Sequence, residues 1–429
     1  ASGLPELCSL FREISSSFFT PAHDRWAVCP TMGNTDAWYK LCTLLCDPGD
    51  CILVEEYTYP AVLASSYPRD ILPIAVPMDS QGMSPEHLTA ILSEWCDRGT
   101  LRRPRLVYTV PIGQNPTGSV MGVQRKKDLL AVCAEYDLML VEDDPYHFLN
   151  YSGNDISLYD SIKDEPFERL ACVPSVSRSL ELDPSFLKFD TNGRVIRLDS
   201  FSKTVAPGCR LGWITAEKAI VDRFMLLTEV STQAPSGMSQ ALVLSLLSQR
   251  GMTGYLAWTQ ELRNVYLFRR DVLMRAISTG LAITVARNVC RKIWTVSAHR
   301  LSLFEFVPPL GGMFLWIKIH YFNHPTYEGK LHSGQSIDEV IQDLSQELWD
   351  LLAEGGVLVT QGSVFAPQAV LAQGSARLVT LARPSGCHYF RLSFSSTEVS
   401  ASCFCERRSY AQCYRLTTWR KRATCFYKS

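Results

Sequence analysis

The sequence predicts an α/β protein built on a mostly parallel sheet. Three observations carry that prediction. Short β-rich runs alternate with longer runs of helical period through the first part of the chain. The apolar runs are short and continuous, as at 138–141, which suits buried strands. At 429 residues, with 46% hydrophobic and 20% charged, the composition is globular and the length fits two or three domains.

The exclusions come next. Lys plus Arg is 42 and Asp plus Glu is 43, so no bulk charge argues for nucleic acid. No apolar run approaches the ~18 residues of a membrane span. Neither partner is expected. The 15 cysteines are odd in number and mostly sit singly among apolar residues (Cys29, Cys42, Cys46, Cys51, Cys133). They read as small core residues of a reducing compartment, so a cytoplasmic location is the expectation. The chain opens on Ala1 and runs at once into a helix-like stretch from Leu4 to Phe11. We expect an N-terminal segment to be missing, which leaves a mitochondrial location open.

In chain order, 51–55, 105–110, 139–142 and 195–199 read as buried strands, and 35–46, 84–97, 122–136 and 217–228 as helices. The run 124–136 sets Leu129, Leu130, Val132 and Cys133 against Lys126, Lys127, Asp128 and Glu135, a one-faced helix. The stretch 150–195 is less regular and reads as an insertion. A long helical run over 255–277 leads into a smaller α+β part ending near Ser396. The expected division is a large domain over 1–255, a small one over 256–396 and an irregular end over 397–429. In 401–429 seven Lys or Arg face one acid, Glu406, beside Cys403, Cys405, Cys413 and Cys425. That spacing, without His, matches no common zinc pattern, so no metal is expected.

Chemistry concentrates where loops leave the carboxyl ends of the strands. Asp199-Ser200-Phe201-Ser202-Lys203, followed by Pro207-Gly208-Cys209-Arg210-Leu211-Gly212-Trp213, delivers two hydroxyls, a lysine and an arginine into one turn. The set suits a cofactor with an aldehyde and a phosphate: the amine forms a Schiff base, while the hydroxyls and the guanidinium hold the dianion. A bare Ser-x-Ser-Lys would be a surface turn; the joined Arg motif makes it specific. Val141-Glu142-Asp143-Asp144-Pro145-Tyr146 ends another strand. A buried carboxylate there can keep a pyridine nitrogen protonated, and Tyr146 can reach a ring oxygen; alone it would be an acidic loop. Pro111-Ile112-Gly113-Gln114-Asn115-Pro116-Thr117-Gly118 is a good turn in itself, and Asn115 adds a second donor to that oxygen. Thr31-Met32-Gly33-Asn34-Thr35 opens a helix whose free N–H groups suit phosphate or, more simply, an ordinary cap. Tyr59 can stack on a cofactor ring or merely pack. Arg391, in Tyr389-Phe390-Arg391-Leu392-Ser393, needs an anion, either an internal carboxylate or a substrate's.

Together these motifs resemble the class I/II aminotransferases of pyridoxal-phosphate (PLP) fold type I. Within them the match is similar to the fungal aromatic and kynurenine/α-aminoadipate aminotransferase group. Pro309-Leu310-Gly311-Gly312-Met313 and Met78-Asp79-Ser80-Gln81-Gly82 add to it, and the match covers roughly 1–396. The resemblance implies a large domain with a mostly parallel mixed sheet flanked by helices, plus a smaller α+β domain. It implies pyridoxal 5'-phosphate as cofactor and a homodimer. By the same resemblance, Lys203 forms the internal aldimine and moves the proton, and Asp143 pairs with the pyridine nitrogen. Asn115 and Tyr146 bind the phenolic oxygen. Ser200, Ser202 and Arg210 bind the phosphate, helped by Asn34 and Thr35, while Tyr59 stacks on the ring and Arg391 holds the substrate carboxylate, with Asn115 beside it. The implied reaction is ping-pong transamination between an aromatic or large hydrophobic amino acid, kynurenine or 2-aminoadipate, and an oxo acid such as 2-oxoglutarate. A β-lyase, a cyclopropane-forming synthase and an inactive copy are the alternatives. In the family a preceding segment supplies part of the substrate pocket and a Tyr to the partner's phosphate, and a final helix packs the small domain. Neither is apparent here, and 367–386 is longer than the family loop.

Overall fold

The computed structural model describes residues 2–95, 101–152, 182–278, 282–288, 291–298, 301–354, 357–367 and 386–395. The irregular stretch within 150–195, the long loop of 367–386 and the basic end fall largely or wholly outside them.

The strands of the first sheet are β1 (Trp26–Thr31), β2 (Cys51–Glu55), β3 (Leu72–Val76), β6 (Leu106–Thr109), β7 (Met139–Asp143), β8 (Val195–Ser200) and β9 (Gly212–Glu217), with the small β4 (Met78–Asp79) and β5 (Gly82–Met83) pairing apart. Their order is β1-β9-β8-β7-β6-β2-β3. The run from β8 to β3 is parallel, and β9 is antiparallel to both its neighbours. Successive side chains leave opposite faces of a strand, and both faces are covered. Leu53, Val107, Leu140 and Val195 join one core with Leu7 and Phe11 of α1 (Pro5–Ile14). Ile52, Leu106, Val141 and Ile196 join the other with Trp38 and Leu41 of α2 (Asn34–Leu45). That is why these strands carry no polar alternation.

The expected strands and helices form, with some ends shifted by one to four residues. The helix expected over 84–97 is α4 (Pro85–Ser93), preceded by α3 (Pro60–Ser66), and the helices expected at 122–136 and 217–228 are α5 (Val123–Glu135) and α6 (Lys218–Val230). The long helical run begins 18 residues earlier than expected: α7 spans Gly237–Ser278 and breaks at Gly251, where φ is +64°. It leads to an antiparallel sheet of β10 (Ala282–Asn288), β11 (Arg291–Ala298), β12 (Leu301–Phe306), β13 (Phe314–Ile319), β14 (Thr360–Gln361) and β15 (Tyr389–Ser393), in the order β10-β11-β12-β13-β15-β14.

The two sheets meet along a seam of backbone. Gly113 and Gly312 both have positive φ, and a Cβ on Gly113 would lie 2.2 Å from the Gly312 nitrogen. Across the same seam Leu310 donates to the Gly118 carbonyl and Gly312 to that of Leu149. Only glycine fits so close an approach. The Gly-Gly of 311–312 and the glycine of 113 therefore explain each other.

Candidate active site

The strands β2, β6, β7 and β8 end side by side, and their last residues build the site. Alternation along β7 divides three adjacent acids. Glu142 and Asp144 turn to one face and each lies 3.0 Å from Arg197, which also holds Asp199 at 2.9 Å. The ring of Phe19 lies 3.6 Å from that guanidinium carbon. Asp143 turns to the other face and is buried. Tyr108 of β6 donates its hydroxyl to Asp143 Oδ2, and the Asn34 amide donates to Oδ1 at 2.5 Å. Burial pushes the Asp143 carboxyl up to about 6.

The Asn34 side chain spans Asp143 and the Leu198 carbonyl (3.1 Å). The reason is placement: α2 starts directly over the ends of β7 and β8, and an amide there reaches the carboxylate.

The expected anion site assembles next to it. Ser200 Oγ lies 2.9 Å from Ser202 Oγ, and Arg210 Nη1 is 3.4 Å from the latter. Arg210 Nη2 donates to the Met32 carbonyl at 2.8 Å. Arg210 is exposed and, among the described residues, has no carboxylate partner. Gly33, at φ +101°, caps α2, and a Cβ there would stand 3.1 Å from Arg210 Nη2. The first-turn N–H groups of α2 are free of helical bonds. Thr35 is exposed, its hydroxyl 3.5 Å from that of Tyr59, which is only partly buried. Asp36 accepts the Met32 N–H and is paired by buried Lys40 at 3.0 Å, which offsets its charge beside the cup. Two hydroxyls, a free guanidinium, a glycine cradle and a helix start fit a phosphate.

Lys203 follows Ser202 in this turn. Burial first, then the nearby Arg391 and Arg210 cations, holds its amine below the usual lysine range. Among the described residues it has no ion-pair partner.

Arg391 crosses from the second sheet. Its Nη1 donates to Asn115 Oδ1 at 2.8 Å and its Nη2 to Thr360 Oγ1 at 3.2 Å. Nε is buried without a partner. Among the described residues no carboxylate meets it and no internal salt bridge of the kind weighed from sequence forms. The guanidinium carbon lies 4.3 Å from the Phe314 ring centre and 4.9 Å from that of Phe365. Because Arg391 donates only, it fixes the Asn115 oxygen toward itself and leaves the NH2 group to the site. Tyr146 is buried edge-on to Phe314 at 5.9 Å. Burial raises its phenol, Asp143 and Tyr59 raise it further, and Arg391 lowers it.

Several functional side chains escaped sequence reasoning. Tyr108 lies within a strand that was read as apolar; its buried hydroxyl, needing a partner, was the signal. Glu55, at the end of β2, accepts from Thr109 Oγ1 (2.7 Å), Gln114 Nε2 (2.9 Å) and the Val110 N–H (3.3 Å). It thereby fixes the loop that carries Asn115. An aromatic wall stands beside Arg391: Trp316, its register partner on β13, stacks on Tyr389 at 5.0 Å, and Phe365 and Tyr57 abut Trp316. Next to this wall is a cavity of about 560 Å³.

Comparisons with known proteins bear on the family and the fold. A family model described as aminotransferase class I and II matches residues 5–385. An aromatic amino acid aminotransferase of Schizosaccharomyces pombe is 34% identical over 363 residues, 85% of this chain and 70% of its own. An L-tyrosine:2-oxoglutarate aminotransferase of Serpula lacrymans is 34% identical over 85% of this chain and 65% of its own. Among solved structures, the aminotransferase Aro8 of Candida albicans superposes with a TM-score of 0.74 at 30% identity, over 97% of this chain and 77% of that one.

Proposed function

The chain belongs to the class I and II aminotransferases, and on that premise we propose that it passes the amino group of an aromatic amino acid to 2-oxoglutarate. The enzyme is PLP-dependent, as its family is, and its substrates are an amino acid and a 2-oxo acid. The observation that carries the reading is the grouping of a buried Asp143 with Lys203 and Arg391, neither of which has a carboxylate partner among the described residues. The aromatic wall of Tyr57, Trp316 and Tyr389 supports a large planar side chain on the donor.

The residues present fit the cofactor. Ser200, Ser202, Arg210 and the first N–H groups of α2 would hold its phosphate. Asp143 would hold a proton on the ring nitrogen, and Asn115 Nδ2 and the Tyr146 hydroxyl would bind the phenolic oxygen. Tyr59 would stack on the ring. When bound, PLP supplies an electron sink for the charge left at Cα once its proton is removed. Lys203 takes that proton: flanked by two cations and partly desolvated, its amine is more readily neutral than an ordinary lysine. Arg391 holds the α-carboxylate, which both substrates share, so one anion site serves both halves of a ping-pong cycle. The aromatic rings on Arg391 limit water there and strengthen its charge-assisted hydrogen bonds.

We also propose a homodimer. Val230 (82% exposed) at the end of α6 and Met238 (81%) at the start of α7 flank a short connection, with Leu226 and Leu242 also exposed. Lys40 of α2 donates to Thr232 in that connection, linking it to the helix of the phosphate cup.

The test is spectroscopic. Added PLP should give the protein a visible band that an aromatic amino acid removes and 2-oxoglutarate restores. Lys203→Ala should lose both the band and turnover; turnover at the wild-type rate by that variant overturns the proposal.

A further inference from the structure

Asp143 is a buried acid. Among the described residues it makes no ion pair. The nearest guanidinium, Arg197, lies across the sheet and is shared by Glu142, Asp144 and Asp199. The other ionisable groups that interact with it are Glu55 from β2, Asp144 just after its own strand, and the phenols of Tyr108 and Tyr146. Apart from Arg197, none of them carries a positive charge. What does touch the carboxylate is a pair of neutral donors, one to each oxygen: the Tyr108 hydroxyl on Oδ2 and the Asn34 amide on Oδ1.

Tyr108 is fully buried in the interior strand β6, its ring edge-to-face with Trp38 at 4.9 Å. It cannot leave without opening the core. Burial beside Asp143 also keeps the phenol protonated, so toward the ionised carboxylate it is the donor. Asn34 is held by its second bond, to the Leu198 carbonyl. A carboxylate gripped at both oxygens by fixed donors keeps its charge and its direction.

We propose that Tyr108, assisted by Asn34, is a positioning residue that holds Asp143 ionised and aimed at the ring nitrogen of the cofactor. The inference rests on the preceding reading that this nitrogen meets Asp143.

A double-mutant cycle on PLP binding by the cofactor-free protein tests it, read by equilibrium dialysis and by the visible band across acid to neutral pH. Tyr108→Phe should keep the band but weaken PLP binding about tenfold, as loss of a charge-assisted hydrogen bond does. It should also move the acid-side fall in affinity to higher pH, because Asp143 then protonates more readily. In an Asp143→Asn background the same substitution should change affinity less than about twofold, since no charge remains to be held. An equal loss in both backgrounds means a merely structural tyrosine and overturns the proposal. So does an unchanged affinity and pH profile in the single variant. Should Tyr108→Phe not fold, Asn34→Ala takes its place in the cycle with the same expected outcomes. A wild-type protein that gives no band with PLP defeats the reading of the site itself, and this proposal with it.

Discussion

Arg391 shows how a single residue states its need. It is a guanidinium partly buried among Phe314, Phe365 and Trp316, with a buried Nε that nothing satisfies. A cation in that setting is costly unless an anion arrives. Arg391→Lys keeps a charge but loses the planar fork. Steady-state kinetics should show kcat/KM for the amino donor and for the oxo acid both falling roughly 10- to 100-fold, with the PLP band unchanged. A loss confined to one substrate would contradict a shared carboxylate site. Residues that act through their own chemistry were legible in the sequence: Lys203, Asp143, Asn115, Arg210 and Arg391 all stood in motifs with distinctive neighbours. Tyr108 and Glu55 were not, because a side chain that serves another side chain leaves no local pattern. The hydrogen bond from the Asn34 side chain to Asp143 was hidden for the same reason. The position of Asn34 at a helix start is visible in sequence, but the strand ends beneath it are not.

At the scale of elements, the parallel strands place four chain ends along one edge, and the loops beyond them carry the chemistry. The strands were readable because burial on both faces leaves continuous apolar runs. The extent of the long helix α7 was not, since its first half mixes exposed Met238 and Leu242 with polar residues and breaks at Gly251. The end of β2 carries a testable consequence. Burial pushes the Glu55 carboxyl up to about 7, against an ordinary 4.5. Between those values the folded chain binds a proton that the unfolded chain does not, so this group adds stability as pH falls from about 7 toward 4.5 and withdraws it as pH rises. Glu55→Gln removes that dependence. Thermal melts should show the wild type gaining on the variant as pH drops through that window. A difference in melting temperature that is flat with pH would mean Glu55 does not titrate there.

At the scale of the whole molecule, the exposed apolar side chains around the 231–236 connection predict how copies meet. Val230→Glu together with Met238→Glu should shift sedimentation from dimer to monomer and weaken PLP binding, because α2 is tied to the connection between α6 and α7 through Lys40 and Thr232. A variant pair that still sediments as the wild-type species would place the interface elsewhere. The relation between the two sheets was the least legible part of the sequence. Arg391 and Asn115 stand 276 positions apart in the chain yet share a hydrogen bond. The backbone contact at Gly113 and Gly312 gives that distance its tolerance. With no side chain between them, the two loops have nothing compressible to absorb error, so the contact acts as a gauge block. It sets the separation between the arginine that grips a substrate and the carboxylate that faces the cofactor, and any repacking elsewhere in either core must close to that fixed dimension.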